Sequence, residues 1–326
     1  MKKKFSGEEV SPTSDIWADN IHSAKWLSGR VIELAQTVEH EMKTYVHPDY
    51  SACEYKMKLN IFTFGKLKLN IAFTVIAPPA SVDKSGYCGD LNALIEDYKS
   101  RKGLFLILNL KADEVNIQTK AAVGKTLPSC IFKNEFESFD AYLSALRSNY
   151  RRRIKIALQK AKDLQVKKIE NADFDEEIYK LYLQVLGRSD FPLEKLPIKF
   201  FQNSNCEIDV FYNKNIPLAF VMYESDNDNM SFIFGGMDYA NRDKYNLYYN
   251  MLLHIAREGI GRKAGFINFG QTAEITKCRI GCKLEDRFMI AFGGNGLLTY
   301  LLNMFAPFLQ NNKMFGECNV FRRGNK

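Results

Sequence analysis

The 326 residues include 46% apolar and 25% charged side chains, with 13% aromatics and only 9 prolines, which excludes disordered, collagen-like and low-complexity classes. At about 100–200 residues per domain the length implies two domains, able to bury a core without disulfides or metals. The net charge of +7 is mild and suits an anionic ligand, but does not by itself imply nucleic acid.

The chain opens on MKKKFSGEEV, where Lys2, Lys3 and Lys4 are followed by acids instead of an apolar core, so no secretory leader is expected. Asp15–Val46 carries helical signals. Leu59–Phe64 and Lys66–Ile76 flank Gly65 as the arms of a β-hairpin, which Pro78-Pro79 ends. Ser81–Asp90 reads as loop, Leu91–Arg101 as a short helix and Leu104–Leu110 as a buried strand. From Phe139 to Leu164 apolar residues recur at three- and four-residue steps (Leu143, Leu146, Tyr150, Ile154, Leu158, Ala161, Leu164), which predicts one long helix capped by Ser138 or Asp140. Its polar side holds Arg147, Arg151, Arg152, Arg153, Lys155, Lys160 and Lys162. That stripe is read either as a solvated face or as a contact for an anionic partner. No aromatic stacking platform accompanies it, which disfavours nucleic acid.

Beyond it, Val166–Glu170 is a short strand, Asp173 caps a helix through Leu186, and Leu196–Gln202 is a second short helix. Glu207–Tyr212, Pro217–Tyr223 and Met230–Gly236 are successive strands separated by Asn- and Asp-rich turns. A helix spans Lys244–Glu258, with Tyr248, Met251, Leu252 and Ile255 on one face, and Gly259, Gly261 and Gly265 end it. Phe266–Phe269 is a strand, Thr272–Ile280 a helix and Glu285–Phe292 a final strand. The uncharged run after it is broken by Gly293, Gly294 and Gly296. The apolar remainder, Leu297–Gln310, is too short to cross a bilayer. It is read as packing against the second half, with a dimer seam, an acyl pocket or a shallow membrane contact as the other readings.

The seven cysteines, Cys53, Cys88, Cys130, Cys206, Cys278, Cys282 and Cys318, are scattered, the pattern of reduced thiols in a cytoplasmic protein. Cys278 and Cys282 lack the two further ligands that zinc needs, so no metal is expected. No GxGxxG or GxxxxGK[ST] occurs, which speaks against Rossmann and P-loop readings.

Three segments resemble the GNAT acyltransferases, and within them the Fem-like, peptidoglycan-biosynthesis-type branch. They are SNYRRRIKIALQKAKDL (Ser148 to Leu164), GGMDYANRDKYNLYYNMLLHIAREG (Gly235 to Gly259) and FINFGQTAEITKCRIGC (Phe266 to Cys282). The resemblance covers roughly residues 128–295. The resemblance implies an α/β (α+β) fold of two GNAT-like halves, residues 1–135 and 136–326. Each would hold a mixed, mostly antiparallel sheet flanked by helices, the second half being the complete one.

The resemblance also implies a thioester cosubstrate, acetyl-CoA or another acyl-CoA, or an acyl carrier protein, held between two parallel strands that part company. Phe234, Gly235, Gly236 and Asn268 are the candidate strand residues, the glycines permitting close backbone approach. Arg242, Lys244, Tyr245 and Asn246 begin the central helix, whose free N–H groups suit a phosphate. They stand where GNAT enzymes carry Arg/Gln-x-x-Gly-x-Gly/Ala, and that departure leaves the donor open. Aminolysis needs an oxyanion contact and a route for the amine's proton. Glu274, Lys277 and Gln271 are the catalytic candidates, with Asp238 and Tyr239 as alternatives. The expected acceptor is a small-molecule amine. The alternatives are an aminoacyl-tRNA-dependent transferase acting on a cell-wall precursor, and a catalytically silent protein that binds an anionic partner. Of the four histidines, His254 falls beside the apolar face of the central helix and is read as satisfied by its neighbours.

Overall fold

The computed structural model describes residues 4–11, 42–62, 67–78, 83–189, 195–226, 228–313, 316 and 318–322. In chain order the strands and helices are β1 (Glu8–Val10), β2 (Met42–His47), β3 (Tyr50–Asn60), β4 (Asn70–Ile76), β5 (Tyr87–Gly89), α1 (Leu91–Tyr98), β6 (Leu104–Leu110) and β7 (Ala122–Lys125). Next come β8 (Ser129–Lys133), α2 (Phe139–Ala145), α3 (Ser148–Lys160), β9 (Gln165–Ile169), α4 (Glu176–Leu186), α5 (Ile198–Asn203), β10 (Glu207–Asn213), β11 (Ile216–Asp226) and β12 (Asn229–Met237). The chain ends with α6 (Arg242–Tyr245), α7 (Leu247–Gly261), β13 (Phe266–Asn268), α8 (Glu274–Cys278), β14 (Lys283–Glu285), β15 (Phe288–Gly293) and α9 (Gly296–Leu309).

One compact unit comprises Met1–Leu127, Leu193–Phe200 and Asp286–Lys313. Its sheet runs β1-β2-β3-β4-β6-β15-β7, with β5 against β3. Every neighbouring pair is antiparallel except β4 and β6, which join in parallel through Thr74–Phe105, Val75–Leu106 and Ile76–Ile107. A parallel pair needs a crossover, and α1 supplies it. Leu94, Ile95 and Tyr98 of α1 pack on Phe105, Ile107, Ile290 and Phe292.

The other unit comprises Pro128–Pro192, Phe201–Glu285 and Met314–Lys326. Its sheet runs β14-β8-β13-β12-β11-β10-β9, again with one parallel pair, β12 with β13. The crossover is α7, whose Met251, Leu252, Ile255 and Ala256 are buried. Successive strand residues point to opposite faces. A Cβ on Gly235 would sit 2.5 Å from Met251 Cε of α7, whereas one on Gly236 would sit 2.5 Å from the backbone nitrogen of Tyr182 in α4. The two helices therefore cover opposite faces of β12.

Several expectations are corrected. The helix expected over Phe139–Leu164 is two, α2 and α3, because Leu146 is extended and forms a β-bridge with Phe321. Arg147 N donates to Val320 O and Arg322 N to Ala145 O on either side of that bridge. The last expected strand, now β15, belongs to the first sheet, paired with β6 and β7. Helix α9 packs on β15 and β7 there. Conversely β8 pairs with β13 and β14, in the compact unit that begins at Pro128. Met42–Val46, expected to be helical, is strand β2. The rest of that expected helix, from Asp15 to Glu41, lies outside the described residues.

Gly236 is where this packing is least forgiving, since its α4 neighbours are backbone atoms that cannot rotate away. The substitution Gly236→Ala is expected to destabilise the protein by about 2 kcal/mol or more, measured by urea unfolding. An unchanged midpoint would mean that α4 does not pack there.

Candidate functional site

The site starts from the register of β12 and β13. They pair only through Asn229–Phe266, Met230–Ile267 and Ser231–Asn268. The chain then turns to β8: Phe269 N donates to Cys130 O at 2.9 Å and Cys130 N to Gly270 O at 3.0 Å. Strand β12 runs on for six residues, Phe232 to Met237, with β11 as its strand neighbour among the described residues. Its pairing slips between Met222–Phe234 and Tyr223–Phe232, so Ile233 is the extra residue of a β-bulge. A length of strand edge thus remains after its parallel partner has left.

The segment after β12 is held closely. Asp238 N donates to Leu218 O, Tyr239 N to Gln184 Oε1, and Asn241 Nδ2 to Asp238 Oδ2. Helix α6 stops at Asn246, which has φ 50° and ψ 44°, and α7 starts directly from it. The expected helix start at Lys244 is therefore displaced to Leu247. A left-handed residue cannot lie inside a right-handed helix, and Asn is among the few that adopt this conformation readily. Asn246 makes no side-chain cap, so the first N–H groups of α7 lack that partner. The buried Asn250 fixes this junction: its Nδ2 lies 2.8 Å from Tyr245 O and 2.9 Å from Ala157 O of α3.

Positive charge gathers beside the junction. Arg242 chelates the neighbouring Asp243 carboxylate, and Lys160 Nζ donates to Asp243 O at 3.0 Å. The guanidinium carbons of Arg188 and Arg242 lie 4.1 and 5.8 Å from the Tyr239 ring centre, and Lys244 Nζ lies 4.7 Å from that of Tyr245. Asn213 donates to the Tyr245 hydroxyl at 2.7 Å. Sequence reasoning found Arg242 and Lys244 but assigned no such place to Arg188, or to Asn250 and the Ile233 bulge. Nothing in their periodicity marks them.

Glu274 and Lys277 are not a surface pair, being only 8% and 3% exposed. The Lys277 ammonium donates to the carbonyl oxygens of Gln271 at 2.7 Å and Gly270 at 3.4 Å. It thereby holds a turn in which Gly270, Thr272 and Ala273 all have positive φ. For residues with a Cβ that conformation costs about 1–2 kcal/mol each. The helix expected over Thr272–Ile280 is accordingly reduced to α8. Tyr248, in the first turn of α7, is pushed well above its ordinary pKa, first by burial and then by Cys130, Cys282, Glu274 and Tyr239. It stays protonated and can donate a hydrogen bond.

The other expected strand residues have local partners. Phe234 stacks edge-on to Tyr182 and Phe201, and Asn268 Oδ1 accepts from Gly270 N at 2.8 Å. Gly235 and Gly236 admit a methionine and a helix backbone, so the close approach they allow is made by the protein's own helices. His254, further along α7, lies 2.8 Å from Asp209 Oδ2, which also accepts from the Tyr223 hydroxyl at 2.8 Å. Burial alone would raise the Asp209 carboxyl, but these two hydrogen bonds outweigh it and hold it below its ordinary value. Arg262 continues the chain of contacts from Tyr223 to Glu207.

No protein-family model and no curated protein sequence matches the chain. Solved structures match it in fold. The C-terminal domain of a protein assigned as a lysylphosphatidylglycerol synthetase from Agrobacterium fabrum aligns with a TM-score of 0.51 at 10% identity, over 94% of this chain and 98% of its own. L-PGS from Bacillus licheniformis gives 0.52 at 10% identity, over 86% and 92%. FemX gives 0.50 at 12% identity, over 91% and 100%. At such identities the likeness is one of fold, the GNAT-like α/β arrangement of two sheets flanked by helices.

Replacing Lys277 by Met leaves the Gln271 and Gly270 carbonyls without their ammonium donor. The loss expected in urea unfolding is about 2 kcal/mol, and a change too small to resolve would show that the turn holds itself. The Glu207 carboxyl, held at about 2 by Arg262 with help from Lys168, contributes stability that is present above the ordinary carboxylate value and lost as the pH falls towards 2. In Glu207→Gln that part of the acid-induced loss disappears, which unfolding curves between pH 2.5 and 6 would register as a shallower slope.

Proposed function

We propose that the chain is an N-acyltransferase that moves an acyl group from a phosphopantetheine thioester, on CoA or an acyl carrier protein, to an amine. The observation that carries this reading is the strand edge of β12 beyond Ser231, left without its parallel partner beside a helix start that bears no side-chain cap. An extended amide-bearing arm can add to such an edge as a strand would. Its phosphates would lie at the first turn of α7, where N–H groups, Arg242, Lys244, Lys160 and Arg188 supply positive charge.

In the reaction the amine nitrogen attacks the thioester carbonyl carbon, the C–S bond breaks, and the thiolate leaves and takes up a proton. Glu274 is the candidate to accept the amine's proton. Tyr248, protonated and near it, is the candidate donor to the oxyanion or the departing sulfur. Lys277 acts by holding the Gly270–Ala273 turn, to which Gln271 belongs. The strand contribution of Phe234, Gly235 and Gly236 is through main-chain groups, with Asn268 marking where the two strands part and Asn246 and Tyr245 setting the helix start.

A second reading, transfer from aminoacyl-tRNA, is favoured by the exposed stripe of Arg152, Arg153 and Lys155 on α3 and by the fold shared with FemX. The two readings and a silent binder separate in one set of assays. Calorimetry with CoA, together with colorimetric detection of released thiol over a panel of amines, is expected to give binding and turnover. Asn246→Asp places a carboxylate at the helix start and Arg242→Ala removes a cation; each is expected to weaken CoA by about tenfold. No binding and no thiol release would overturn the CoA reading. Transfer only from charged tRNA would establish the second.

A further inference from the structure

Helix α9 presents an apolar face outward. Leu297, Tyr300, Leu301, Met304 and Phe305 recur at three- and four-residue steps, and all are exposed, Leu297 at 69% and Tyr300 at 65%. The opposite side is the one that packs: a Cβ on Gly293 would meet Leu298 Cβ at 2.3 Å, and Thr299 is buried with its hydroxyl against Gly293. The helix contains no charged residue. Its 14 residues span about 21 Å, and no helix among the described residues is long and apolar enough to cross a membrane.

A second apolar group leaves the same end of the sheet. Strand β4 runs parallel to β6, and β15 runs antiparallel to it with Gly293 opposite Leu104. Residues that precede β4 and residues that follow β15 therefore leave the same end of the sheet, about 10 Å apart across β6, with Leu69 four residues beyond the level of Leu104. Those residues are the exposed Leu67 and Leu69 on one side and the first turn of α9 on the other. Between them Gly103 O accepts from Gly294 N at 2.9 Å. The last turn of α1 brings the exposed Glu96 towards this end, where it pairs with Lys99 at 2.8 Å, while the segments nearest the apolar residues carry lysines. Lys68 and Lys102 are exposed there, and no Asp or Glu occurs from Tyr55 to Val82, from Tyr98 to Ala112 or from Arg287 to Gly316.

We propose that this face docks on an anionic lipid bilayer, with α9 lying in the interface plane, Leu67 and Leu69 inserted beside it, and Lys68 and Lys102 against the headgroups. An apolar stripe with Lys68 and Lys102 at its rim matches such a surface in both respects. A second copy of the chain would meet the same positive rim, which disfavours it as the occupant.

The test is co-sedimentation of the whole chain with vesicles of phosphatidylglycerol and phosphatidylcholine, and with vesicles of phosphatidylcholine alone. Binding is expected to the anionic vesicles and to fall about tenfold without the anionic lipid or in 0.5 M salt. The triple variant Leu297→Gln, Tyr300→Gln, Phe305→Gln changes exposed positions only and is expected to abolish binding with an unchanged thermal midpoint. The independent variant Lys68→Glu, Lys102→Glu is expected to lower it by about tenfold. Tyr300→Trp is expected to show water-exposed emission that shifts blue on adding anionic vesicles. Wild-type protein that stays in the supernatant, or binding that neither variant changes, would overturn the proposal. So would shielded indole emission from the Tyr300→Trp variant without lipid, or a dimer in sedimentation velocity that the triple variant dissolves, since another occupant would then hold the face.

Discussion

The register of one parallel strand pair governs the rest. Strand β12 meets β13 at its own first three residues and then outlasts it by six. In the first unit the corresponding parallel pair has the opposite register. There β4 meets β6 through its last three residues, Thr74 to Ile76, and ends with the pairing. Both sheets have a meander, a crossover helix and a parallel strand flanked by an antiparallel one. Only in the second does the meander strand continue past its parallel partner.

The helix starts differ in the same sense. Helix α1 begins at Asp90, whose carboxylate accepts from the N–H groups of Asn92 and Ala93. That acid satisfies the donors an anion would need and repels the anion as well. Helix α7 begins at Asn246 without a side-chain cap. Strand register and helix cap are independent features, and both close the first unit and open the second. The open arrangement also has support behind it: Asn250 ties α7 to α3 and to the end of α6, while Lys277 holds the left-handed turn after β13. Backbone held out of its relaxed conformations persists where surrounding contacts over-determine it.

Much of the architecture was legible because it is local. The strand Leu104–Leu110 and the three-strand meander announce themselves through apolar runs between turn residues, and α7 through its apolar face. What escaped depends on partners distant in sequence. Leu146 continues a helical pattern, yet it is drawn into extended pairing by Phe321, which no window around residue 146 contains. The ends of the two halves are exchanged in the same way. β8 follows the first meander in sequence but completes the second sheet, and β15 follows the second but completes the first. The sequence reads Gly235-Gly236 as permitting close backbone approach of a cofactor, but the residues cannot say what approaches, and Met251 and α4 take the space a Cβ would fill. His254 was read as a histidine satisfied by its neighbours, and Asp209 is the neighbour.

The same reasoning accounts for a fold shared with other proteins at 10–12% identity while no family model matches. A surface formed by a strand edge and a helix start presents main-chain groups, and any residues compatible with that backbone can build it. Side-chain motifs then carry little of the information. Here the segment Asn241–Asn246 lacks the glycines of the GNAT phosphate loop, and the chain reaches an uncapped helix start by other means, with one asparagine in the left-handed conformation and another beneath it fastening the joint. The feature that distinguishes an open unit from a closed one is therefore a difference in register between β12 and β4. Register is a property of pairing between strands, so it becomes visible only once the sheet is assembled.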